Sequence, residues 1–234
     1  MVKQLSYISA KCASINLTVN KMSFISRDEI KKRFKGSFDQ GIFEDRCFSQ
    51  SGASYDLRLG EEVFVTPEKQ PKQLQKGQIL NINPGQFAVL TTQEYLEIPE
   101  DLLGFITVRF RYKSKGLVNI SGFHVDPGFK GHLVFSVYNS GPATVTLRQG
   151  DPVFSIFFAE ISPKTVYKGD YRNQKNIPLD IIETLAGARI PSIRVLEDKV
   201  NRNSTILRLY GTILTGLVVA LVSIVIGIIQ GLIG

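Results

Sequence analysis

The chain has 234 residues, of which 43% are hydrophobic and 21% are charged, and its net charge is +7. This balance is typical of a folded chain and excludes one that is mostly disordered. Two cysteines, Cys12 and Cys47, and two histidines are too few for a disulfide framework or for a zinc site of His and Cys. The basic charge suits a nucleic acid, a phosphorylated ligand or an anionic membrane surface, and by itself does not choose among them.

The N-terminal part contains a leader and one short helix. Residues 1–21 lack the long apolar centre of a secretion signal, and we interpret them as a leader that the folded domain could dispense with. In FISRDEIKKRF, Ser26 and Glu29 predict a capping box, in which the serine side chain accepts a helical N–H and the glutamate reaches back. Ile30 and Phe34 are four residues apart and predict the buried face of this helix.

From about residue 55 the hydrophobic pattern has a period of two, and Gly, Pro and Asn separate its segments. The strand candidates are YDLRLGEEVFVT, QFAVLTTQEYLEI, GFITVRFR, HLVFSVYN, ATVTLRQ and PVFSIFFAEI. They are rich in β-branched and aromatic residues, and no long helical pattern interrupts them. We therefore predict an all-β barrel or sandwich. The polar run SPKTVYKGDYRNQKNIPLD that follows predicts an arm or loop.

The C-terminal part predicts a helical stalk at residues 179–208 and a membrane-spanning helix at residues 209–234. The segment LYGTILTGLVVALVSIVIGIIQGLIG contains no charged residue. Its 26 residues would extend roughly 39 Å as a helix, more than the roughly 30 Å hydrocarbon core of a bilayer. The positive-inside tendency predicts a tail-anchored protein whose folded domain faces the cytoplasm. The basic residues before the segment are Arg189, Arg194, Lys199, Arg202 and Arg208.

A heptad spacing continues from the stalk into the apolar segment. The residues at this spacing are Ile193, Val200, Leu207, Leu214, Leu221 and Ile228. In the aqueous half, Leu196 supports the pattern, which is typical of helices that associate. In the apolar half, the same spacing is expected by chance. Gly227 and Gly231 would permit close approach of two helices there.

Six segments occur in an order that resembles the dCTP deaminase branch of the dUTPase superfamily. They are SGASYDLRLGEEVFV, NPGQFAVLTTQEYLEIPEDLLGFI, VRFRYKSKGL, GFHVDPGFKGHLVFSVYNSG, LRQGDPVFSIFF and YKGDYRNQ. The resemblance covers about residues 22–178. It implies a dUTPase-like β-barrel or jelly-roll homotrimer with nucleotide sites between subunits. It also implies a pyrimidine deoxynucleoside triphosphate that binds with Mg²⁺, no zinc, no metal site built from side chains, and no nucleic acid as partner.

The hairpin GFHVDPGFKG resembles the segment that holds base and sugar in this superfamily. Asp126 matches the dUTPase carboxylate that activates the attacking water, and is our candidate catalytic residue. Phe129 matches the aromatic residue that packs on the deoxyribose. The resemblance also places Ser121 and Gly122 in the nucleotide site. On composition alone, Asp-Pro-Gly is a good turn and Phe129 is a core residue.

The general base of the deaminases has no counterpart in the sequence. The resemblance implies a glutamate two residues before the Tyr-Asn pair, and this chain has Ser136 there. A serine hydroxyl is a poor base near neutral pH. At this place SVYNSG is similar to the dUTPase pattern instead.

The segment that resembles the phosphate site also departs from the family pattern. Arg-Ser-Ser of the family reads Arg109-Phe110-Arg111 in this chain. Arg109, Arg111 and Lys113 could still bind phosphates by charge. The alternative is an edge strand whose alternate residues carry charge into solvent.

Two more segments bear on the site. Tyr171 and Gln174 are spaced as in the arm that closes over the triphosphate. Asp170 stands where a lysine is common, and would repel phosphate. In SYDLRLG, Asp56 and Arg58 are two residues apart on a strand, and we interpret them as a polar network that supports the trimer.

These features favour a membrane-anchored, dCTP deaminase-like protein that binds a pyrimidine deoxynucleotide, lacks normal deaminase activity and acts as a sensor or effector. Two alternatives stay open. One is an active enzyme, either a dCTP deaminase or a dUTP diphosphatase that uses Asp126. The other is a structural trimer that presents its membrane helices and binds no small molecule.

Overall fold

The computed structural model describes residues 23–187 and 193–233. The predicted leader lies outside the described residues, as does Arg189 of the predicted stalk. The helices are α1 (Arg27–Arg33), α2 (Lys35–Asp39), α3 (Phe110–Lys113), α4 (Leu179–Gly187) and α5 (Ile193–Ile233), and Asp45–Cys47 forms a 3-10 turn. The strands are β1 (Tyr55–Val65), β2 (Lys72–Gln73), β3 (Ile79–Ile82), β4 (Phe87–Glu97), β5 (Leu102–Val108), β6 (Leu117–Asn119), β7 (His124–Val125), β8 (Lys130–Asn139), β9 (Val145–Arg148) and β10 (Pro152–Glu160).

The strands form a curled half-barrel. One sheet has the order β6–β8–β4–β1–β10–β5–β7, with β2 paired to β1, and β3 pairs with β9 in a second sheet. The pairings between these strands are antiparallel. The prediction of an all-β domain is confirmed. One strand candidate is too long, because GFITVRFR is extended only to Val108 and then turns into α3.

Large apolar side chains from both halves of the domain fill the interior of the barrel. Phe135 of β8 stacks on Phe154 of β10, with 3.7 Å between ring centroids. Ile30 and Phe34 of α1 join this core, and both are buried as the sequence predicts. Burial of one such side chain contributes roughly 1.5–3 kcal/mol, and this is what holds α1 on the barrel.

The capping box predicted for α1 is wrong. Ser26 is the N-cap residue, but its side chain makes no capping hydrogen bond within the described residues. Glu29 Oε1 instead accepts a hydrogen bond from Arg33 Nε at 2.8 Å, and Lys32 Nζ lies 3.6 Å from Glu29 Oε2. A charge-assisted bond to a guanidinium is stronger than a bond to a neutral backbone N–H, so the glutamate turns away from the cap.

A buried ion pair crosses the middle of the barrel. Arg58 Nε of β1 donates to Glu94 Oε1 of β4 at 2.7 Å, and both side chains are almost fully buried. The Arg58 backbone N–H donates to Glu94 Oε2, and its guanidinium also donates to Glu44 and to the Ile42 carbonyl. Arg58 and Asp56 therefore belong to two different polar networks and not to one, and their support of a trimer stays a prediction. A register shift between Leu57 and Arg58 accompanies this division.

The predicted stalk contains two separate helices. α4 lies against the barrel, where Ile182 is buried in a small cluster with Phe64, Val89 and Ile177. The last of these is anchored because its backbone N–H donates to Glu62 Oε2 at 2.6 Å. α4 therefore covers an outer face of β4 and β8.

α5 is one unbroken helix of 41 residues, about 62 Å long. Leu196–Gln230 is a candidate membrane span, because it contains an 18-residue window with a mean hydropathy of 2.8, and this window is not buried against the rest of the chain. Within the described ranges it is the one helix that is long and apolar enough to cross a bilayer. The helix continues through residue 209 without a break between the charged part and the uncharged part.

Candidate functional site

A row of polar residues crosses three strands of the sheet. Asp56 of β1 is the register partner of Ser155 of β10, which is the partner of Thr107 of β5. Ser155 Oγ donates to Asp56 Oδ1 at 2.6 Å. The row lies next to the end of β5, where the basic segment begins.

The polar row holds two of the predicted phosphate-binding residues. Arg109 Nε lies 3.1 Å from Asp56 Oδ2, and Lys113 Nζ donates to Thr107 Oγ1 at 2.8 Å. The Asp56 side chain is 8% exposed and the Arg109 side chain is 36% exposed. The carboxylate therefore fixes a guanidinium that still reaches solvent and retains N–H groups that can donate to an anion.

The basic segment is a helical turn and not an edge strand. Tyr112 is the buried residue of α3, and burial raises the pKa of its hydroxyl. Arg111 and Lys113 are exposed on this turn. The alternative in which an edge strand projects these charges is wrong, because the backbone N–H groups of Tyr112 and Lys113 bond back to the Arg109 carbonyl.

A cavity of about 580 Å³ opens beside this turn. Its lining includes Lys113, Lys115, Gly116 and Gly141. Gly116 has a φ of +97°, and a Cβ there would lie 2.3 Å from the Gly141 backbone nitrogen. Glycine is therefore required where the two loops meet, and the two lysines give the cavity a positive charge.

Asp126 lies at the turn between β7 and β8. The turn closes with a hydrogen bond from the Phe129 N–H to the Asp126 carbonyl, and Gly128 has a φ of +73°. The Asp126 side chain is 45% exposed, and His124 Nε2 lies 3.7 Å from its Oδ1. This carboxylate can accept a hydrogen bond from a sugar hydroxyl or from water.

Phe129 is in the hydrophobic core of the described chain. It is 7% exposed and packs edge to face on Tyr167, with 5.8 Å between ring centroids. The geometry matches the core position that composition alone suggests. The predicted contact with deoxyribose stays a prediction.

The predicted arm returns along the start of β8. The Asn173 N–H donates to the Lys130 carbonyl, and the His132 N–H donates to the Gln174 carbonyl. Gly131 lies against Gln174, since a Cβ at Gly131 would be 2.8 Å from the Gln174 nitrogen. Tyr171 is exposed on this arm. Gln174 and Tyr171 therefore lie near the N-terminal end of β8, and this strand begins shortly after Asp126.

Asn119 shapes the loop that contains Ser121 and Gly122. Its Oδ1 accepts hydrogen bonds from the Ser121 N–H at 3.2 Å and from Ser121 Oγ at 2.6 Å. Its Nδ2 donates to the Gly122 carbonyl at 3.2 Å. Sequence reasoning missed Asn119, although an asparagine shortly before a glycine is a turn signal.

Ser136 lies on β8 beneath α4. It pairs with Val89 of β4, and its carbonyl accepts a hydrogen bond from the Ile120 N–H at 2.9 Å. A cavity of about 270 Å³ separates this face from α4. Its lining includes Phe87, Val89, Ile120, Ser136, Asp180 and Leu185.

One chain does not bring all the predicted residues together. Val125 pairs with Gly104 at the start of β5, whereas Arg109 follows its end, so Asp126 and Arg109 are separated by roughly 17 Å along this strand. The predicted site residues therefore fall into three groups along the chain and the sheet. The first is Arg109, Arg111 and Lys113, the second is Asp126, Phe129, Tyr171 and Gln174, and the third is Ser121 and Gly122. The described residues contain no group of three or more His, Cys, Asp or Glu side chains that could hold a metal ion.

The fold is a mostly-β half-barrel with a short N-terminal helix and a long apolar C-terminal helix, and it carries the three groups of candidate site residues. The family model described as dCTP deaminase-like matches residues 24–161, and the chain belongs to this family. The resemblance seen in the sequence is confirmed.

Individual relatives agree with the family match. A dCTP deaminase of Pyrobaculum aerophilum is 30% identical over 165 residues, which cover 65% of this chain and 93% of that protein. A dCTP deaminase of Pyrococcus horikoshii is 29% identical over 127 residues, covering 53% of this chain and 80% of that protein. The crystal structure of 2'-deoxycytidine 5'-triphosphate deaminase from Agrobacterium tumefaciens aligns with a TM-score of 0.50 at 16% identity. The alignment covers 60% of this chain and 49% of that one, and it supports the fold alone.

Proposed function

We propose that the protein is a membrane-anchored nucleotide-binding member of its family, which binds a pyrimidine deoxynucleoside triphosphate without normal deaminase activity and acts as a sensor or effector. The observation that carries this proposal is Ser136. It stands where the resemblance implies the deaminase glutamate, and a serine does not readily take a proton from water at neutral pH.

The retained architecture supports nucleotide binding. Asp56 still orients Arg109, and α3 adds Arg111 and Lys113 beside it. Mg²⁺ would enter with the triphosphate, since this ion is usually held by phosphate oxygens, waters and at most one or two carboxylates.

A homotrimer would complete the site. Asp126 and Arg109 lie too far apart within one chain for both to contact the same sugar and phosphates, and a second copy can bring its own residue to the gap. The stalk supports association, since Val200 and Leu207 are exposed on α5 at heptad spacing. Sedimentation of the full chain in detergent should give three copies, and one or two copies would contradict this part of the proposal.

The lipid bilayer would be the second partner. α5 continues from the charged stalk into the apolar segment as one helix, so a displacement of its N-terminal end would move the membrane segment with it. Lys199, Arg202 and Arg208 precede the uncharged run, and the positive-inside tendency supports a barrel on the cytoplasmic side.

Hydrolysis of the triphosphate is the second candidate function. It is favoured by the half-exposed Asp126 carboxylate beside His124, because such a carboxylate can orient an attacking water. Deamination of dCTP by another base remains part of the same enzymatic alternative.

The test uses the full chain in detergent with Mg²⁺ and, in turn, dCTP, dUTP, CTP and dTTP. We expect a deoxypyrimidine triphosphate to raise the unfolding temperature without appearance of a deaminated or hydrolysed product. Ligand at 100 times its Kd would stabilise the folded state by about 2.7 kcal/mol. Arg109→Gln should weaken this effect, whereas Arg148→Gln, an exposed arginine on β9, should not.

If a product forms at an enzymatic rate, the proposal of a nucleotide-binding protein without normal deaminase activity is wrong, and the enzymatic alternative is favoured. Absence of any thermal shift with all four nucleotides would leave the structural trimer as the better explanation.

A further inference from the structure

α4 lies over the Ser136 face, which is the outer side of β4 and β8 around Val89, Val134 and Ser136. Ile182 of α4 is buried against Phe64 and Val89, and Val89 is the register partner of Ser136. This cluster is separate from the main core of the barrel. The partly buried side chains packed against it are Val134, Ile181, Leu185 and Ala186. A small apolar contact therefore docks α4 on this face.

The docked helix leaves too little space for a nucleotide. The cavity between α4 and the sheet measures about 270 Å³, below the roughly 300–1,000 Å³ of pockets that hold small ligands. Phe87, Val89 and Ser136 line it from the sheet, and Asp180 and Leu185 line it from α4. A nucleoside triphosphate that reached Ser136 would need the space that α4 takes.

The Ser136 face is expected to be one wall of the proposed nucleotide site. The resemblance puts the deaminase glutamate at this position, where it would act on the bound base. The loop that contains Ser121 adjoins this wall, because the Ile120 N–H donates to the Ser136 carbonyl at 2.9 Å. The proposed homotrimer would supply the opposite wall from a neighbouring copy. α4 of the same chain would therefore compete with the nucleotide for the Ser136 face.

In the chain, α4 stands between the predicted arm and the membrane helix. Ile177, just before α4, is tied to β1 because its backbone N–H donates to Glu62 Oε2 at 2.6 Å. On the other side, α5 begins at Ile193, six residues after the end of α4. This short connection can span at most about 20 Å. A docked α4 therefore limits how far the start of α5 can lie from the Ser136 face.

We propose that α4 is an autoinhibitory latch, which covers the Ser136 face in the absence of nucleotide and is displaced when a pyrimidine deoxynucleoside triphosphate binds. This inference rests on the proposed nucleotide-binding function and names the regulation of its site. Displacement would free the start of α5 from the barrel, so that binding changes the position of the membrane helix. α4 follows the residues 24–161 that match the family model, so the family match does not include the latch.

The size of α4 suits a reversible contact. It has nine residues, and isolated helices shorter than about 12–15 residues are marginal in water, so α4 depends on docking for its structure. Ile182 is its buried residue, whereas Leu179, Glu183 and Thr184 are exposed. A latch that is mostly docked lowers the apparent affinity for nucleotide in proportion to the undocked fraction. Weaker docking should therefore increase the affinity.

The first experiment measures the Kd for dCTP and for dUTP by equilibrium dialysis, with the full chain in detergent and Mg²⁺. Ile182→Ala should lower the Kd about fivefold or more, because the shorter side chain weakens docking. Leu185→Ala, at a partly buried residue of the same contact, should lower it by a smaller factor. Leu179→Ala, at a residue 74% exposed, should keep the Kd of the parent.

The second experiment follows hydrogen exchange of the parent chain by mass spectrometry. Saturating nucleotide should make the backbone amides of α4 exchange about tenfold faster, because local undocking exposes them. The amides of α1, which lies on another part of the barrel, should exchange as before. A helix that only stabilises the fold would exchange at the same rate with nucleotide, and one that closes over the ligand would exchange more slowly.

The outcomes separate this inference from the proposed function. If the parent binds a nucleotide and Ile182→Ala has the same Kd or a higher one, the inference is wrong and the proposed function stands. Unchanged or slower exchange of α4 with bound nucleotide would also overturn the inference alone. If neither the parent nor Ile182→Ala binds a nucleotide, both are wrong. The unfolding temperature without nucleotide shows whether each variant is folded, and Leu185→Ala decides the matter if Ile182→Ala is not.

Discussion

Asp56 and Arg109 are joined across the sheet, with 3.1 Å between the carboxylate Oδ2 and the guanidinium Nε. They come from β1 and from the end of β5, and β10 lies between these strands with Ser155 bonded to the same carboxylate. The pairing of three strands thus positions an arginine whose partner lies 53 residues earlier in the chain. A candidate phosphate-binding cation is in this way held by a buried carboxylate of the sheet.

Asp56→Asn should therefore weaken nucleotide binding without a direct contact to the ligand. The neutral amide of the variant attracts the Arg109 guanidinium less strongly, so the guanidinium is less well positioned. We expect the Kd for the triphosphate to rise about tenfold. The loss of a buried, charge-assisted bond should also lower the free energy of unfolding by about 1–3 kcal/mol. Thermal-shift titration measures the first effect and denaturant unfolding the second.

Asp45→Asn is the matched control for this substitution. Its side chain is 60% exposed and pairs with Lys31 near α1. A Kd for Asp56→Asn equal to that of this control would show that Arg109 needs no orientation by Asp56.

Arg33 should make the stability of the protein depend on pH in the acidic range. It donates to Glu29 at 2.8 Å, to Asp101 at 2.7 Å and to Glu160 at 2.9 Å. These bonds hold the pKa of Asp101 below its ordinary value of 3.8 and that of Glu29 below 4.5. Because the folded-state pKa values are depressed, the stabilisation is present above the ordinary values and is lost as pH falls through the depressed ones.

Arg33→Gln should consequently unfold at a lower temperature than the parent at pH 7, and the gap should narrow below about pH 4. Lys35→Gln, which removes an exposed cation from neighbouring α2, should show a small gap at every pH. Thermal unfolding from pH 7 to pH 3 checks both. A gap for Arg33→Gln that stays constant over this range would argue against the carboxylate network.

Ile182→Ala should release α4 from the barrel. The side chain is 6% exposed and packs with Phe64, Val89 and Ile177. Truncation of a buried isoleucine costs about 2–5 kcal/mol, and this small cluster should give a value near the lower end. We expect faster proteolytic cleavage within α4, followed by mass spectrometry. Leu179→Ala, at a residue 74% exposed, should be cleaved like the parent. Equal cleavage of the two variants would mean that α4 is held by other contacts.

Val222→Lys should prevent stable insertion of α5 into a bilayer. The residue lies near the middle of the uncharged segment, where a lysine costs about 2.5–3.5 kcal/mol on insertion scales. We expect the variant to leave the membrane fraction on alkaline washing while the parent remains. Thr205→Lys, in the charged part of the same helix, should behave like the parent. Retention of Val222→Lys equal to that of the parent would contradict a spanning helix.

The local elements could be predicted because each depends on neighbours along the chain. A period of two predicted the main strands, the spacing of Ile30 and Phe34 predicted one buried helix face, and the uncharged C-terminal run predicted a long apolar helix. The order of six motifs predicted the family, because motif order is a property of the sequence. Prediction from local sequence failed at Glu29, because its side chain accepts a hydrogen bond from Arg33 and does not form the predicted capping box.

The sequence by itself determined the strands and the apolar helix, and it predicted that Ser136 stands at the position of the deaminase base. Only the tertiary structure placed Asp56, Ser155 and Thr107 in one row and laid Asp180 over the face that contains Ser136. The physical reason is that periodicity reports which face of an element is apolar, whereas strand register and helix docking depend on burial between residues far apart in the chain. Asp180 lies 44 residues after Ser136 and in a different element, so no local pattern connects them.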